Sequence, residues 1–547
     1  MDRRAALVLL AVLGTGVFLA GLELMVTAVA LPSIVADLAD WTELRRASWI
    51  VNGYLLVYVI TMPLAGRLAD LWGARRLFQG ALVVFTIGSL LAGRAQSLDE
   101  LIVARLVQAA GGGVLVPVAT AAASHLFEGH ARPRALGVIG ALTFLGMAAG
   151  PFAGAAILSS LHVEPALAAR GMADGPLRDA LAPAWRWVFY LNVPAALVAL
   201  VLGWAASGGW DTPRRPGRVD LAGGLIFSVA LAAGLIGLTL LGETDLGGPG
   251  PLAISAGLFL VTVVAVSLTI ARGLRGSDPF LDPRLFRRRS FSSAALVSLL
   301  TGYALATAII GGAVFVDRVL YGGPDQQRLA LGSLAGATAL GALISGFAVR
   351  VLSLRLVTLA GLAASAVSLV RMSTWVPGTP IEEVGLALAV FGFGFGLTVT
   401  PRSTAAVESV GRRAFGVASA TVTVARMIGM AVGLAILTAY GSTTIDRLTD
   451  AIYATPEAYQ QFLPEELKGR PLRDGLVVEA LEAWAAGEAA RVMVGIFVAA
   501  AVLVIIAVPP ALALDAPRRT LSAAARGAKE GDDGNGDGDG SEPALAL

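Results

Sequence analysis

Runs of about twenty or more apolar residues, each closed by a short polar stretch, recur along nearly the whole chain. Six lie near residues 6–31, 48–65, 78–93, 100–123, 136–158 and 187–206. Two more, near 219–241 and 252–271, lead into the basic stretch RGLRGSDPFLDPRLFRRRSF, and six follow it, near 292–316, 329–349, 355–371, 383–401, 416–439 and 491–514. At about 1.5 Å of rise per residue, such runs suit helices that cross roughly 30 Å of hydrocarbon. The pattern predicts an all-α integral membrane protein of about fourteen transmembrane helices, grouped as six, two and six. Residues 1–207 would form an N-terminal six-helix bundle and 208–290 two linker helices with a basic linker. Residues 291–515 would form a C-terminal bundle, and 516–547 a polar, disordered tail.

The polar stretches predict the orientation. With the N-terminus in the cytoplasm, the inner segments hold roughly 25 of the Lys and Arg residues and the outer ones roughly 14, an inside excess. An even helix number then returns the C-terminus to the cytoplasm. The tryptophans Trp41, Trp49, Trp72, Trp185, Trp187, Trp204, Trp210, Trp375 and Trp484 fall in loops or near predicted helix ends, where interfacial anchors belong. Two outer segments are long. Residues 159–184 read as an ordered loop with some helix. In 441–490, Ile445, Leu448 and Ile452, then Leu476, Val477, Ala480, Leu481 and Trp484, recur at three- and four-residue spacings. The last two spanning helices are therefore expected to continue beyond the bilayer as an amphipathic hairpin, with two helices lying on the headgroups as the alternative.

Composition narrows the function. The chain has 547 residues, 56% of them hydrophobic and only 15% charged, against about a quarter charged in soluble domains. Its net charge of +2 gives no reason to expect a nucleic-acid partner, and without cysteine it can form neither disulfides nor thiolate metal sites. The only lysines, Lys468 and Lys529, are followed by Gly469 and Glu530, so there is no phosphate-binding G-K-[ST] and the chain is no ATPase by itself. His125, His130 and His162 lie in predicted loops. In the tail, Asp533, Asn535, Asp537 and Gly538 open like a calcium loop, but the closing acid falls at Ala544. No cofactor, metal site or enzymatic role is expected. A proton or sodium gradient remains as the energy source, and it needs an ionisable group inside the membrane.

Glu23 is the leading candidate, well over a turn from either end of the first predicted helix. An acid there can serve as a proton-exchanging group. Arg105 and Arg426 are arginines within predicted spans, and an intramembrane guanidinium must face a polar cavity or a carboxylate, or snorkel. Asp317, beside Arg318, sits near an outer helix end, where a solvated pair is expected. Between the second and third runs, GRLADLWGARRL gathers Gly66, Arg67, Asp70, Gly73, Arg75 and Arg76 into one tight polar turn. There the Asp70 carboxylate can pair with an arginine or sit at the positive N-terminus of another helix. Gly146, Gly150, Pro151 and Gly154 put small residues four apart, which permits close helix crossing.

These stretches resemble the signatures of one family. G-x-L-a-D-x-x-G-x-R-R resembles the loop between helices 2 and 3 of the major facilitator superfamily, although Leu71 and Ala74 replace two usual basic residues. ELMVTAVALP after Leu22 resembles the first-helix motif LDxTxVNVALP of its fourteen-helix drug:proton antiporters, with Glu23 for aspartate, Met25 for threonine and Ala28 for asparagine. RLVQAAGGG, with Arg105, Gln108 and Gly112, resembles the fourth-helix motif. GMAAGPFAG, from Gly146 to Gly154, resembles the fifth-helix motif of antiporters. WRWVFYLNVP and DPFLDPRLFRRRSF resemble further pieces of the same branch, and YLLVYVITMPLAGRLAD resembles the mycobacterial triacylglycerol exporters within it.

The resemblance implies two rocking six-helix bundles in a bacterial cytoplasmic membrane. It also implies proton-coupled export of lipophilic or amphipathic small molecules, in the manner of multidrug efflux. Glu23 would exchange the proton, Arg105 would tune it, the Arg67–Asp70–Arg75–Arg76 loop would latch the inner gate, and the fifth-helix motif would make a seam between the halves. Gln108, Arg426 and Asp317 would be cavity candidates. A lipid cargo, triacylglycerol or glycolipid, is the alternative, with the hairpin handing it to a periplasmic lipid-carrier protein. The expected partners are thus a hydrophobic substrate, protons and membrane lipids. A non-transporting receptor on the same fold is the alternative of another class.

Overall fold

In the computed structural model almost every apolar run is helical, because a chain crossing hydrocarbon must satisfy its backbone groups internally. The structure describes residues 3–38, 44–47, 49–129, 131–161, 175–206, 220–242, 249–276, 281–410, 414–453 and 457–514, with single positions at 163, 169, 210 and 212. Trp41, His130, His162, residues 164–168 and 170–174 of the 159–184 loop and the tail with its calcium-like run lie outside the described residues; within that loop Pro176–Leu181 is helical. The long helices of the first half are α1 (Arg3–Leu38), α2 (Trp49–Trp72), α3 (Ala74–Arg94), α4 (Leu98–Leu126), α5 (Ala131–Ser160) and α6 (Ala184–Ala205). Then come α7 (Leu221–Gly242) and α8 (Pro249–Arg275). The second half holds α9 (Arg289–Val314), α10 (Pro324–Ala348), α11 (Leu354–Met372), α12 (Ile381–Glu408), α13 (Phe415–Tyr453) and α14 (Gly475–Ile506). Among the described residues, thirteen helices are long and apolar enough to cross a membrane, and α7 adds a shorter apolar stretch, Ala222–Leu238.

The helices outrun the apolar runs because their ends are set by caps, not by hydropathy. Ser97 accepts the Glu100 N–H at the start of α4 while the Glu100 carboxylate accepts Gln96 N–H at 2.8 Å, and Ser353 caps α11 in the same way.

The two halves repeat one packing scheme. In the first, α1 lies along α5, α4 lies between α2 and α3, and α6 touches α1 and α3; in the second, α9 lies along α13, α12 between α10 and α11, and α14 against α9 and α11. The halves meet along two seams that are equivalent under this repeat, α2 on α13 and α5 on α10. α7 and α8 pair with each other, and α7 rests on α13 and α2.

α13 is 39 residues long, about 58 Å of helix, and Phe415–Leu437 within it is apolar enough to span. α13 and α14 are joined through two short 3-10 turns, Ala458–Phe462 and Glu465–Leu467. Tyr459, Leu463 and Val477 form a small core there, and Phe462 packs on Trp484 with ring centroids 4.3 Å apart. The side chains of Ile445, Leu448 and Ile452 lie outside the described ones. Three tryptophans expected at the interface are instead core residues: Trp185, Trp210 and Trp375 are buried, the last between Phe315 and Phe497. Helix ends in this protein carry tertiary contacts, so proximity to an end does not mean proximity to headgroups.

Candidate functional site

Glu23 lies in the middle of α1, fully buried, and every donor that reaches it comes from the N-terminal bundle. Its Oε1 accepts from an Arg105 guanidinium nitrogen of α4 and from Thr27 Oγ1 at 2.9 Å, one turn further along α1. Its Oε2 accepts from Asn192 Nδ2 at 2.5 Å, at the start of the second segment of α6. Arg105 is only 1% exposed: it also donates to Gln108 Oε1 at 2.6 Å and to Ile50 O at 3.3 Å, and lies 4.0 Å over the Tyr54 ring. Gln108 in turn donates to Ser89 Oγ at 2.7 Å. The result is an ion pair set in a polar chain across α1, α2, α3, α4 and α6, inside an otherwise apolar bundle. Two buried polar atoms at its edge, Tyr54 Oη and Asn192 Oδ1, have no hydrogen-bond partner among the described residues. The carboxylate faces neither lipid nor an open vestibule; it is enclosed.

The signature run behaves differently from the expected tight turn. α2 continues as helix to Trp72, and the reversal is confined to Gly73, whose φ of 89° is a conformation that glycine adopts without strain. Arg67 and Asp70 are therefore helical and buried. Asp70 projects across the seam, and its two carboxylate oxygens accept Gly416 N–H at 2.8 Å and Val417 N–H at 3.0 Å, the first turn of α13. An anion at a helix N-terminus satisfies orphan donors and complements the helix dipole. The approach depends on glycine at both sides, since a Cβ on Gly66 would stand 2.5 Å from the Gly416 carbonyl oxygen. Arg75 is half-buried at the start of α3. Arg76 is exposed and lines a groove of about 520 Å³ with Trp72, Val84 and Val114, on the outer flank of α2, α3 and α4. It belongs to that flank and not to the latch.

The fifth-helix motif requires a correction. Gly146, Gly150 and Gly154 face α1, where a Cβ would press on the backbone or side chains of Leu22, Met25 and Val26. They close the α1–α5 crossing inside the N-terminal bundle, beside Glu23, and not the seam between the halves. That seam is made by another face of α5, on which Gly137, Phe144 and Phe152 meet Gly346, Phe395 and Gly332. The helical period explains the error, because residues four apart share one face and the sequence does not say which neighbour that face meets. Pro151 lies within the unbroken helix α5 and lines a cavity of about 40 Å³ between the halves.

Of the other candidates, Asp317 pairs with Arg318 at 3.0 Å at the exposed end of α9, far from this network. Arg426 stands at the seam, its guanidinium 5.5 Å over the Phe144 ring. Three site residues escaped the sequence reading. Arg402 was missed because the apolar run ends at residue 401 whereas α12 continues to Glu408. Thr27 and Asn192 stand inside quoted motifs with nothing in their spacing to mark them. Among the described residues no three His, Cys, Asp or Glu side chains cluster to hold a metal.

The sequence profile of the Major Facilitator Superfamily matches residues 13–434. The chain belongs to that superfamily. A triacylglyceride transporter of Mycolicibacterium hassiacum is 32% identical over 476 residues, 84% of each chain. Multidrug resistance protein 3 of Bacillus subtilis is 25% identical over 439 residues, 80% of each. Among solved structures, a bacterial homolog of the human lysosomal transporter Spinster, inward-facing and unoccupied, superposes with a TM-score of 0.55 at 17% identity, covering 95% of this chain and all of that one. The protein is thus a multi-pass membrane transporter of the major facilitator fold.

Proposed function

We propose that this transporter is a proton-coupled antiporter that exports lipophilic or amphipathic molecules across a bacterial cytoplasmic membrane. The observation that carries this reading is Glu23: a carboxylic acid fully buried at mid-helix, held by Arg105, Thr27 and Asn192 at once. A proton arriving on Glu23 would remove one side of the ion pair, and the freed guanidinium would then favour another arrangement of α1, α4 and α6. The Asp70 contact with the start of α13 would hold the halves together at the end opposite the hairpin, and its release would open that end. Fourteen helices with both termini in the cytoplasm fit the alternation of the helices and the distribution of Lys and Arg.

The test is uptake by proteoliposomes under an imposed pH gradient. Wild-type protein should accumulate cargo against its concentration gradient and Glu23→Gln should not. Accumulation by Glu23→Gln would end the coupling proposal.

A lipid cargo is the second reading. The length of α13 and α14, 39 and 32 residues, favours it if both run beyond the bilayer, as does the cargo named for the mycobacterial relative. Such a hairpin would shield a lipid as it leaves the outer leaflet or pass it to a carrier protein. Deleting about residues 445–485 should abolish lipid export and spare drug efflux; equal loss of both would make the hairpin merely structural.

A further inference from the structure

Two arginines of the C-terminal bundle are buried without a counter-ion among the described residues. Arg402 on α12 is 2% exposed; it donates to Thr301 Oγ1 at 2.5 Å and its guanidinium lies 4.9 Å from the Phe395 ring centroid. Arg426 on α13 is 9% exposed, lies 5.5 Å over Phe144, and its Nε has no partner at all. Phe144 and Phe395 meet edge to face with centroids 5.5 Å apart, so the two cations flank one aromatic pair that bridges the halves. Among the described residues neither pairs with a carboxylate, and the Tyr58 phenol of α2 is the polar group that neighbours Arg426. Removing a charge from water costs on the order of several kcal/mol. A cation–π contact returns only about 0.5–2 kcal/mol. Two neighbouring like charges make the balance worse, and an anion bound between them would reverse it.

The space beside them says what else the anion carries. The cavity of about 40 Å³ starts at Phe144 and is lined by Met25, Met147, Pro151, Leu305 and Leu334, with no charged residue. That space holds only a few water molecules, so a hydrocarbon chain would enter it only if α5 and α10 parted.

We propose that Arg402 and Arg426 form the headgroup subsite for an amphipathic anion, a carboxylate or phosphate on a hydrocarbon chain, whose chain lies along the apolar seam from Phe144 to Leu334. This rests on the reading of the protein as an exporter of amphipathic molecules and narrows that cargo to acidic ones. Guanidinium groups suit such heads through paired, charge-assisted hydrogen bonds.

Equilibrium binding to the purified full-length protein tests it, with sodium oleate and oleoyl lysophosphatidic acid as probes and methyl oleate and inorganic phosphate as controls. Both anionic lipids should bind and raise the melting temperature, and neither control should. Arg426→Gln should weaken oleate binding about tenfold to a hundredfold, and Arg426→Lys should keep most of it. Arg426 is the better target because its Nε has no partner for a substitution to strand, whereas Arg402→Gln would also free Thr301. Methyl oleate binding as tightly as oleate, phosphate alone protecting as well, or unchanged oleate affinity in folded Arg426→Gln would each overturn the assignment. Oleate bound through Arg426 by a protein that moves nothing in proteoliposomes would support the subsite and refute the transport cycle.

Discussion

Arg105 and the pair Arg402 and Arg426 are arginines buried in the two halves of one transporter, and they are treated in opposite ways. Arg105 has a carboxylate, a side-chain amide, a backbone carbonyl and a ring. The C-terminal pair has one hydroxyl and two rings. A buried charge paired with a carboxylate is a neutral unit, which the arrival of a proton would break. A buried charge with free donors is an unfinished site. On this contrast, under the proposed function, the N-terminal bundle would handle the ion and the C-terminal bundle, at the seam, the cargo.

The largest expected effect breaks the first half of the comparison. Glu23→Ala strands a buried guanidinium and should cost about 3–5 kcal/mol of stability, read as a fall in melting temperature. Adding Arg105→Met should restore most of it without restoring transport. Arg426→Met should leave the melting temperature unchanged or raise it, because it removes a charge that nothing compensates. If Arg426→Met destabilises as strongly as Glu23→Ala, the two regions do not differ as described.

The seam comes next. Asp70→Ala leaves the Gly416 and Val417 N–H groups without their acceptor, a loss of about 1–3 kcal/mol. The chain has no cysteine, and Ala420 is buried against Gly66, so labelling of Ala420→Cys reports opening directly. Labelling should rise sharply with Asp70→Ala and less with Asp70→Asn, which keeps one acceptor.

Effects in the hairpin should be smaller and local. Trp484→Ala removes the ring contact with Phe462, worth about 0.5–1.5 kcal/mol beyond the buried area. Hydrogen exchange should quicken over 457–484 and stay unchanged around Glu23.

The smallest effect is that of pH on Asp474, which caps α14. The Leu476 N–H and then the Arg470 guanidinium hold its carboxyl below the usual carboxylate range. A lowered folded-state value means that the cap contributes above about pH 4 and is lost as pH falls through the lowered value. Amide protection of Leu476 and Val477 should drop in that acid range, and Asp474→Asn should flatten the change.

Much of this was legible in the chain. Apolar runs of spanning length announced the helices and their grouping, and the acid in the first run announced a buried polar site. A carboxylate inside hydrocarbon is costly wherever it points, so its presence alone marks it. The signature run also announced Asp70, and a helix N-terminus was one of two partners foreseen for it. Arg402 was hidden by hydropathy, which marks where hydrocarbon lies and not where a helix stops. Asn192 and Thr27 were hidden because a hydrogen bond between α1 and α6 has no local trace.

The sequence by itself determined that the protein spans a membrane, that its helices fall into two bundles with a linking pair, and that few charges lie within them, because these follow from composition and length along one dimension. Only the tertiary structure decided that Glu23 meets Arg105 and Asn192, that Gly146, Gly150 and Gly154 face α1, and that Arg402 and Arg426 share an aromatic pair without a counter-ion. The reason is geometric: the helical period tells which residues share a face, but the partner of that face is chosen by packing among helices distant in the chain.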